Sequence, residues 1–214
     1  MNSAHRTPQG PAGRLGQDGR PVRPLRRDAS RNRARALSAA RRLFAQRGAE
    51  VTMEEIAGAA GIGKGTLYRG YPSRAALAHA VLDDLARDLQ ADLLRGFGVA
   101  GDGPLAVLEE LLRRLHAFTA HNLDVFCMAH DDAGRYRGSP AYLWQRQAVA
   151  GLLAAAARDG LCPPADLDLV PDAVLGLLAP DLVRHQHEVM GVSDADAADL
   201  VVAMARGAIA AGAR

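Results

Sequence analysis

Among the residues equipped for chemistry, Lys64 stands apart, as the single lysine beside 25 arginines in 214 residues. It sits in the run Gly63-Lys64-Gly65-Thr66-Leu67-Tyr68-Arg69. An ammonium or guanidinium donates well to guanine edges in the major groove. Thr66 and Tyr68 carry hydroxyls for phosphates or bases, and Gly63 and Gly65 let a backbone come close. Histidine is the rival lead, because His116, His121, His130, His185 and His187 all fall in the second half of the chain. A metal needs three or four converging ligands. His185 and His187 are two apart, which on a helix turns them about 200° from each other. His116 and His121, five apart, align no better. Cys127 and Cys162 have no metal-ligand spacing and read as reduced thiols. No G-x-S-x-G, P-loop or dinucleotide pattern occurs, so no catalytic residue, metal ligand or cofactor is expected.

The elements that must present Lys64 are legible from their boundaries. Thr52 with Glu55 three residues later is a capping box, so a helix starts there. Ile56, Ala57 and Ala60 give it a short apolar face. Gly61 falls where a left-handed residue ends a helix, and Ile62 turns inward. Gly63 to Tyr68 is long enough for a second short helix, with Leu67 toward the core. Tyr71-Pro72 stops it, because the residue before proline is pushed out of the α region. Ser73 caps a third helix. Two short helices around a glycine turn are the plan of a helix-turn-helix, whose second helix reads the major groove. Thr52 and Arg74, at helix starts, are placed for phosphate contacts reinforced by the helix dipole.

From about Arg31 to Asp88 the chain resembles the DNA-binding domain of the TetR (tetracycline-repressor) family of bacterial transcriptional regulators. The resemblance is carried by Phe44 and Gly48, by Thr52-Met53-Glu54-Glu55-Ile56-Ala57 and by Gly61 to Arg69. Tyr71-Pro72-Ser73-Arg74 and Leu77 complete it. The family usually has a histidine that helps hold a phosphate where this chain has Gly70. The resemblance implies a homodimer, a ligand pocket in the body and pairing of the last two helices with those of a second subunit.

Charge is distributed unevenly. Residues 1–47 hold 12 arginines against Asp18 and Asp28, so the net +2 of the whole chain conceals a basic start on an acidic body. Such a start suits a polyanion. Residues 1–30 are rich in Pro, Gly and Arg and poor in large apolar residues, and are expected to be disordered. Arg23, Arg26, Arg27, Arg31 and Arg33 form a candidate arm for phosphates or the minor groove. A ligand-independent architectural DNA binder using this tail is one alternative, and a histidine-based metal-dependent enzyme is the other. No signal peptide or membrane span is apparent, so a cytoplasmic protein with no membrane partner is expected.

The remainder reads as helical, with aromatics at 4% and a core of Leu, Val and Ala. A first helix is expected over Asn32–Arg47 and a long one from Ser73 past Leu89. Leu105, Leu108, Leu112, Leu115 and Thr119 form one stripe. Leu123 to Ala129 is a short segment. Ala141 to Arg158 carries Leu143, Gln147, Ala150 and Leu153. Helices over Leu169–Met190, kinked at Pro180, and Ser193–Ala211 complete the chain. Mostly apolar pockets carry a few polar groups. Candidate lining residues are His116, Phe118, Thr119, Asn122, Phe126, Met128, Tyr142, Trp144 and Gln147. On the final helix Leu200, Met204 and Ala208 form one stripe and Val201, Ala205 and Ile209 its neighbour, a breadth that suggests a dimer interface.

The expectation is an all-α chain. Residues 31–75 form a three-helix helix-turn-helix head whose last helix runs on to about 95, and 76–214 form a helical effector-binding and dimerisation body. The partners expected are a palindromic double-stranded operator, a small-molecule effector and a second copy of the chain. The function expected is a repressor released from the operator by that molecule.

Overall fold

The computed structural model describes residues 25–96, 103–129, 137–162 and 168–211, and among them all regular secondary structure is helical. Helix α1 spans Leu25–Arg47 and so begins well before Asn32, inside the stretch expected to be disordered. Its Leu, Arg and Ala are good helix formers, and Asp28 in the first turn complements the dipole. Residues 1–24, with Arg23, lie outside the described residues.

Ala36, Ala39, Ala40 and Phe44 form the buried face of α1. Gly48 ends it at φ +55°, and a β-carbon there would collide with the Asp124 carboxylate. A single 3-10 turn, Gly48–Glu50, leads to α2 (Met53–Ala60), α3 (Lys64–Gly70) and α4 (Arg74–Gly96). The head closes on Val51, Ile56, Leu67, Tyr71, Leu77 and Val81. Each aliphatic side chain buried this way stabilises the fold by about 1.5–3 kcal/mol.

The body comprises α5 (Pro104–His121), α6 (Leu123–Ala129), α7 (Pro140–Arg158), α8 (Val170–Gly176), α9 (Pro180–Glu188) and α10 (Asp194–Ala211). Its core brings Leu93 of α4 against Leu108, Leu111, Leu112 and Leu115 of α5, with Val149 and Leu153 of α7 and Val201 and Val202 of α10. Helix α6 packs instead on α4 and on the 3-10 turn, so its Val125, Phe126, Met128 and Ala129 join the head's core.

Three expectations are corrected. Pro180 does not kink a long helix; it is the first residue of α9 after a complete break. Ala179, held extended by the following ring, cannot continue α8. On α7 the buried face is Tyr142, Gln145, Val149, Leu153 and Ala156, whereas Leu143 and Gln147 are exposed. The Leu143 stripe fails because polar Gln145 and Tyr142 find inward places that an apolar count does not foresee. On α10, Val201, Ala205 and Ile209 are buried within the single chain, so they are not available to a partner. Leu200 and Met204, at 50% and 49% exposure, face outward.

Candidate nucleic-acid interface and body cavity

The head is fixed by its caps. Thr52 Oγ1 accepts from Glu55 N at 3.3 Å, while Glu55 Oε2 accepts from Thr52 N at 2.8 Å. Arg47 Nη1 donates to the other oxygen, Glu55 Oε1, at 2.7 Å. The Thr52 amide, the Arg47 guanidinium and the Thr52 hydroxyl together pull the Glu55 carboxyl from its usual 4.5 to about 2. Thr52 is exposed, and its hydroxyl anchors the start of α2. Gly61 takes φ +59° and Ile62 N donates back to Ala57 O at 3.0 Å, which closes α2 and turns the chain toward α3. Arg35 Nη2 braces this turn by donating to Gly61 O at 3.2 Å.

Helix α3 starts at Gly63, whose carbonyl accepts from Thr66 N and Leu67 N at 2.9 and 3.1 Å. Leu67 is the inward anchor at 1% exposure. Lys64, Gly65, Tyr68, Arg69 and Gly70 consequently lie on the open side, with Thr66 half-buried. The Lys64 ammonium touches the Glu54 carboxylate of α2 and sits 5.9 Å from the Tyr68 ring centroid. That pairing holds the Glu54 carboxyl below the usual carboxylate range and raises the Lys64 ammonium. Arg33 lies over the Tyr71 ring at 5.2 Å, and Arg74 Nη1 donates to Ala49 O at 2.5 Å. Both arginines therefore brace the head while remaining exposed, and Arg31 is exposed as well.

A cavity of about 350 Å³ opens in the body. Its walls come from α4 (His79, Leu82), α5 (Leu115, Thr119), α6 (Phe126, Ala129), α7 (Tyr142, Gln145) and the α8–α9 corner. Arg137 and Asp181, both exposed, also line it. Thr119 Oγ1 donates to Leu115 O at 3.1 Å. Tyr142 Oη donates to Asp172 Oδ1 at 2.5 Å, and Arg146 Nε donates to Asp172 Oδ2 at 3.0 Å. Those two donors hold the Asp172 carboxyl below its ordinary range.

Residues 36–81 match the family model for bacterial regulatory proteins of the tetR family. The head therefore carries a TetR-type DNA-binding domain. TetR-family regulators bind DNA and small molecules and act as dimers. A crystal structure of RolR in complex with resorcinol is 25% identical, with a TM-score of 0.66 over 88% of this chain and 96% of that one. FadR of Thermus thermophilus, a TetR-family repressor crystallised with lauroyl-CoA, is 24% identical with a TM-score of 0.64, over 83% of this chain and 94% of that one. FadR of Bacillus subtilis with stearoyl-CoA has the same fold at 14% identity, a TM-score of 0.64, and 82% and 98% coverage. No curated protein matches the chain.

In the body only some of the residues expected to line a pocket do so. Thr119, Phe126 and Tyr142 line the cavity. His116 does not: it is 1% exposed, with its ring centroid 6.0 Å from that of His187. Burial pushes the His116 imidazole below its usual range. Phe118 packs edge-on against Phe126, and Asn122 Nδ2 donates to Phe118 O at 2.8 Å as α5 ends. Met128 joins the head's core, Trp144 lines a smaller recess beside Asp83 and Pro140, and Gln147 is exposed.

His79, Gln145, Arg137 and the α8–α9 corner were not foreseen. They are distant in sequence and meet only because α4 packs on α6 and α7 while α7 packs on α5; a polar residue in the apolar register of α7 was the one available signal. Glu54 was missed because a carboxylate does not advertise itself as part of a DNA-facing surface. His187 of α9 does approach His116, and its Nε2 is 2.8 Å from Asp194 Oδ1. Among the described residues no three His, Cys, Asp or Glu side chains are grouped to hold a metal, and no helix is long and apolar enough to cross a membrane.

Proposed function

We propose that this TetR-family chain is a ligand-responsive, sequence-specific transcriptional repressor, released from a palindromic operator when a small molecule enters the body cavity. The observation that carries this reading is α3: a short helix anchored by Leu67 that offers Lys64, Tyr68 and Arg69 to solvent on one side. Lys64 is the base reader, with Gly63 and Gly65 allowing close approach. Thr66, Tyr68 and Arg69 contact bases or phosphates, and Thr52, Arg74, Arg31 and Arg33 flank them on the backbone. Residues 31–75 are the reading domain and 76–214 the effector and dimerisation domain. The protein works in the cytoplasm and catalyses no reaction.

Dimerisation through the outward stripe of α10, Leu200 and Met204, sets two α3 helices one DNA turn apart, about 34–36 Å. Release requires only that a ligand bind one head spacing better than the other. Helix α6 is suited to transmit this preference, since Phe126 and Ala129 belong both to the head's core and to the cavity wall. RolR with resorcinol and FadR with lauroyl-CoA support a small-molecule effector, one compact and one extended.

Footprinting the full chain on the DNA upstream of its own coding sequence tests the reading. The expected result is a protected palindrome with half-sites one helical turn apart. Even coverage without sequence preference would contradict it and favour an architectural DNA binder.

A further inference from the structure

The cavity's donors and acceptors narrow the ligand. We propose that the effector is a compact, neutral, ring-sized molecule whose hydroxyl is read at Thr119; this rests on the cavity being the effector site. Size is the first restriction. About 350 Å³ lies at the low end of ligand pockets, which run from roughly 300 to 1,000 Å³. A single ring with short substituents fits inside, and a nucleotide-bearing thioester does not. Apolar walls from Leu82, Leu115, Phe126 and Leu178 suit such a ring.

Charge is the second restriction. Among the described residues, the most deeply buried polar groups of the lining are Thr119, Gln145 and Tyr142, at 5%, 5% and 7% exposure, and none of the three carries a charge at neutral pH. An ionised group pushed to that depth would be desolvated without a counter-charge. At the exposed rim Arg137 shares the lining with Asp181, and its field also acts on Asp172. Among the described residues, the two charged side chains of the lining are thus of opposite sign.

Hydrogen-bond polarity is the third. A hydroxyl has one proton to give and two lone pairs. Thr119 lines the cavity and gives its proton to Leu115 O, so its hydroxyl can offer a ligand only an acceptor. Tyr142 likewise spends its proton on Asp172. At Thr119 an acceptor selects a ligand group that donates, which a phenolic or alcoholic O–H does and an ether or a carboxylate does not.

The test is calorimetry on the full chain with four probes: 4-ethylphenol, ethylbenzene, 4-ethylbenzoate and lauroyl-CoA. We expect 4-ethylphenol to bind about tenfold or more tightly than ethylbenzene, the worth of one good buried hydrogen bond. The charged probe and the large one should bind more weakly still. Thr119→Val, which keeps the shape and removes the oxygen, should bring 4-ethylphenol and ethylbenzene level. Tyr142→Phe is the companion variant: should Thr119→Val fail to fold, an unchanged 4-ethylbenzoate rank in Tyr142→Phe still reads the charge restriction. Tighter binding of 4-ethylbenzoate or lauroyl-CoA, failure of 4-ethylphenol to bind, or an undiminished phenol preference in Thr119→Val overturns the assignment. If 4-ethylphenol binds as expected but leaves DNA affinity unchanged, the ligand class stands and the release mechanism fails.

Discussion

The head and the body solve opposite problems with the same element. In the head the polar groups point outward and are held by one another: Lys64 by Glu54, Glu55 by Arg47 and the Thr52 amide, Arg33 by the Tyr71 ring. In the body the informative polar groups, Thr119, Gln145 and Tyr142, point inward among leucines. A surface that meets a large polyanion can leave its cations in water until contact. A site that encloses a small molecule must arrange uncharged donors and acceptors out of water beforehand. Under the function proposed above, the head's specificity lies in position and the body's in hydrogen-bond polarity.

The sharpest break between inward and outward stripes is on α10. Ala205 is 2% exposed, so Ala205→Arg forces a charge into the body's core and should cost about 3 kcal/mol or more of stability. Chemical denaturation should show it. Met204→Arg, one position away but 49% exposed, should leave the protomer's melting cooperative and instead split the proposed dimer. Sedimentation velocity at micromolar concentration reads that difference. Equal behaviour of the two variants would erase the distinction between stripes.

A smaller effect separates the regions by pH. The Glu55 carboxyl is held at about 2 against its usual 4.5, so the carboxylate form is favoured by folding. Its contribution is complete above pH 4.5 and is lost as pH falls toward 2. The gap in melting temperature between wild type and Glu55→Gln should therefore close over that window, as followed by circular dichroism. A gap that persists at pH 2 would mean that the cap matters through shape, not charge.

Smaller again is the consequence of freeing Lys64. Glu54→Gln removes its surface partner and a negative charge beside the DNA, and should tighten DNA binding by about two- to fivefold. Fluorescence anisotropy at fixed salt checks this. Weaker binding would instead make Glu54 the group that positions Lys64.

Much of the head was legible because its signals are local. Thr52 and Glu55, Gly61, Pro72 and Ser73 each fix a boundary within a few residues, and each boundary stands where those residues place it. Body elements were legible as helices but not as faces. Whether Tyr142 or Leu143 turns inward depends on what α5 and α8 present, and no local rule contains that. Pro180 had a clear local meaning, yet whether a proline kinks a helix or begins a new one depends on Ala179 and the packing of Leu178, which is buried. The cavity was the least legible part. Its lining draws on α4 through α9, and helical stripes record burial without recording enclosed space.

The central claim, that α3 reads bases, is tested most directly by Lys64→Ala on two duplexes of equal length, the footprinted site and a random sequence. The account predicts about a ten- to hundredfold loss on the site and little loss on random DNA, since a base contact carries sequence information and a phosphate contact does not. An equal loss on both duplexes would contradict it, leaving Lys64 a phosphate contact and α3 without its reader.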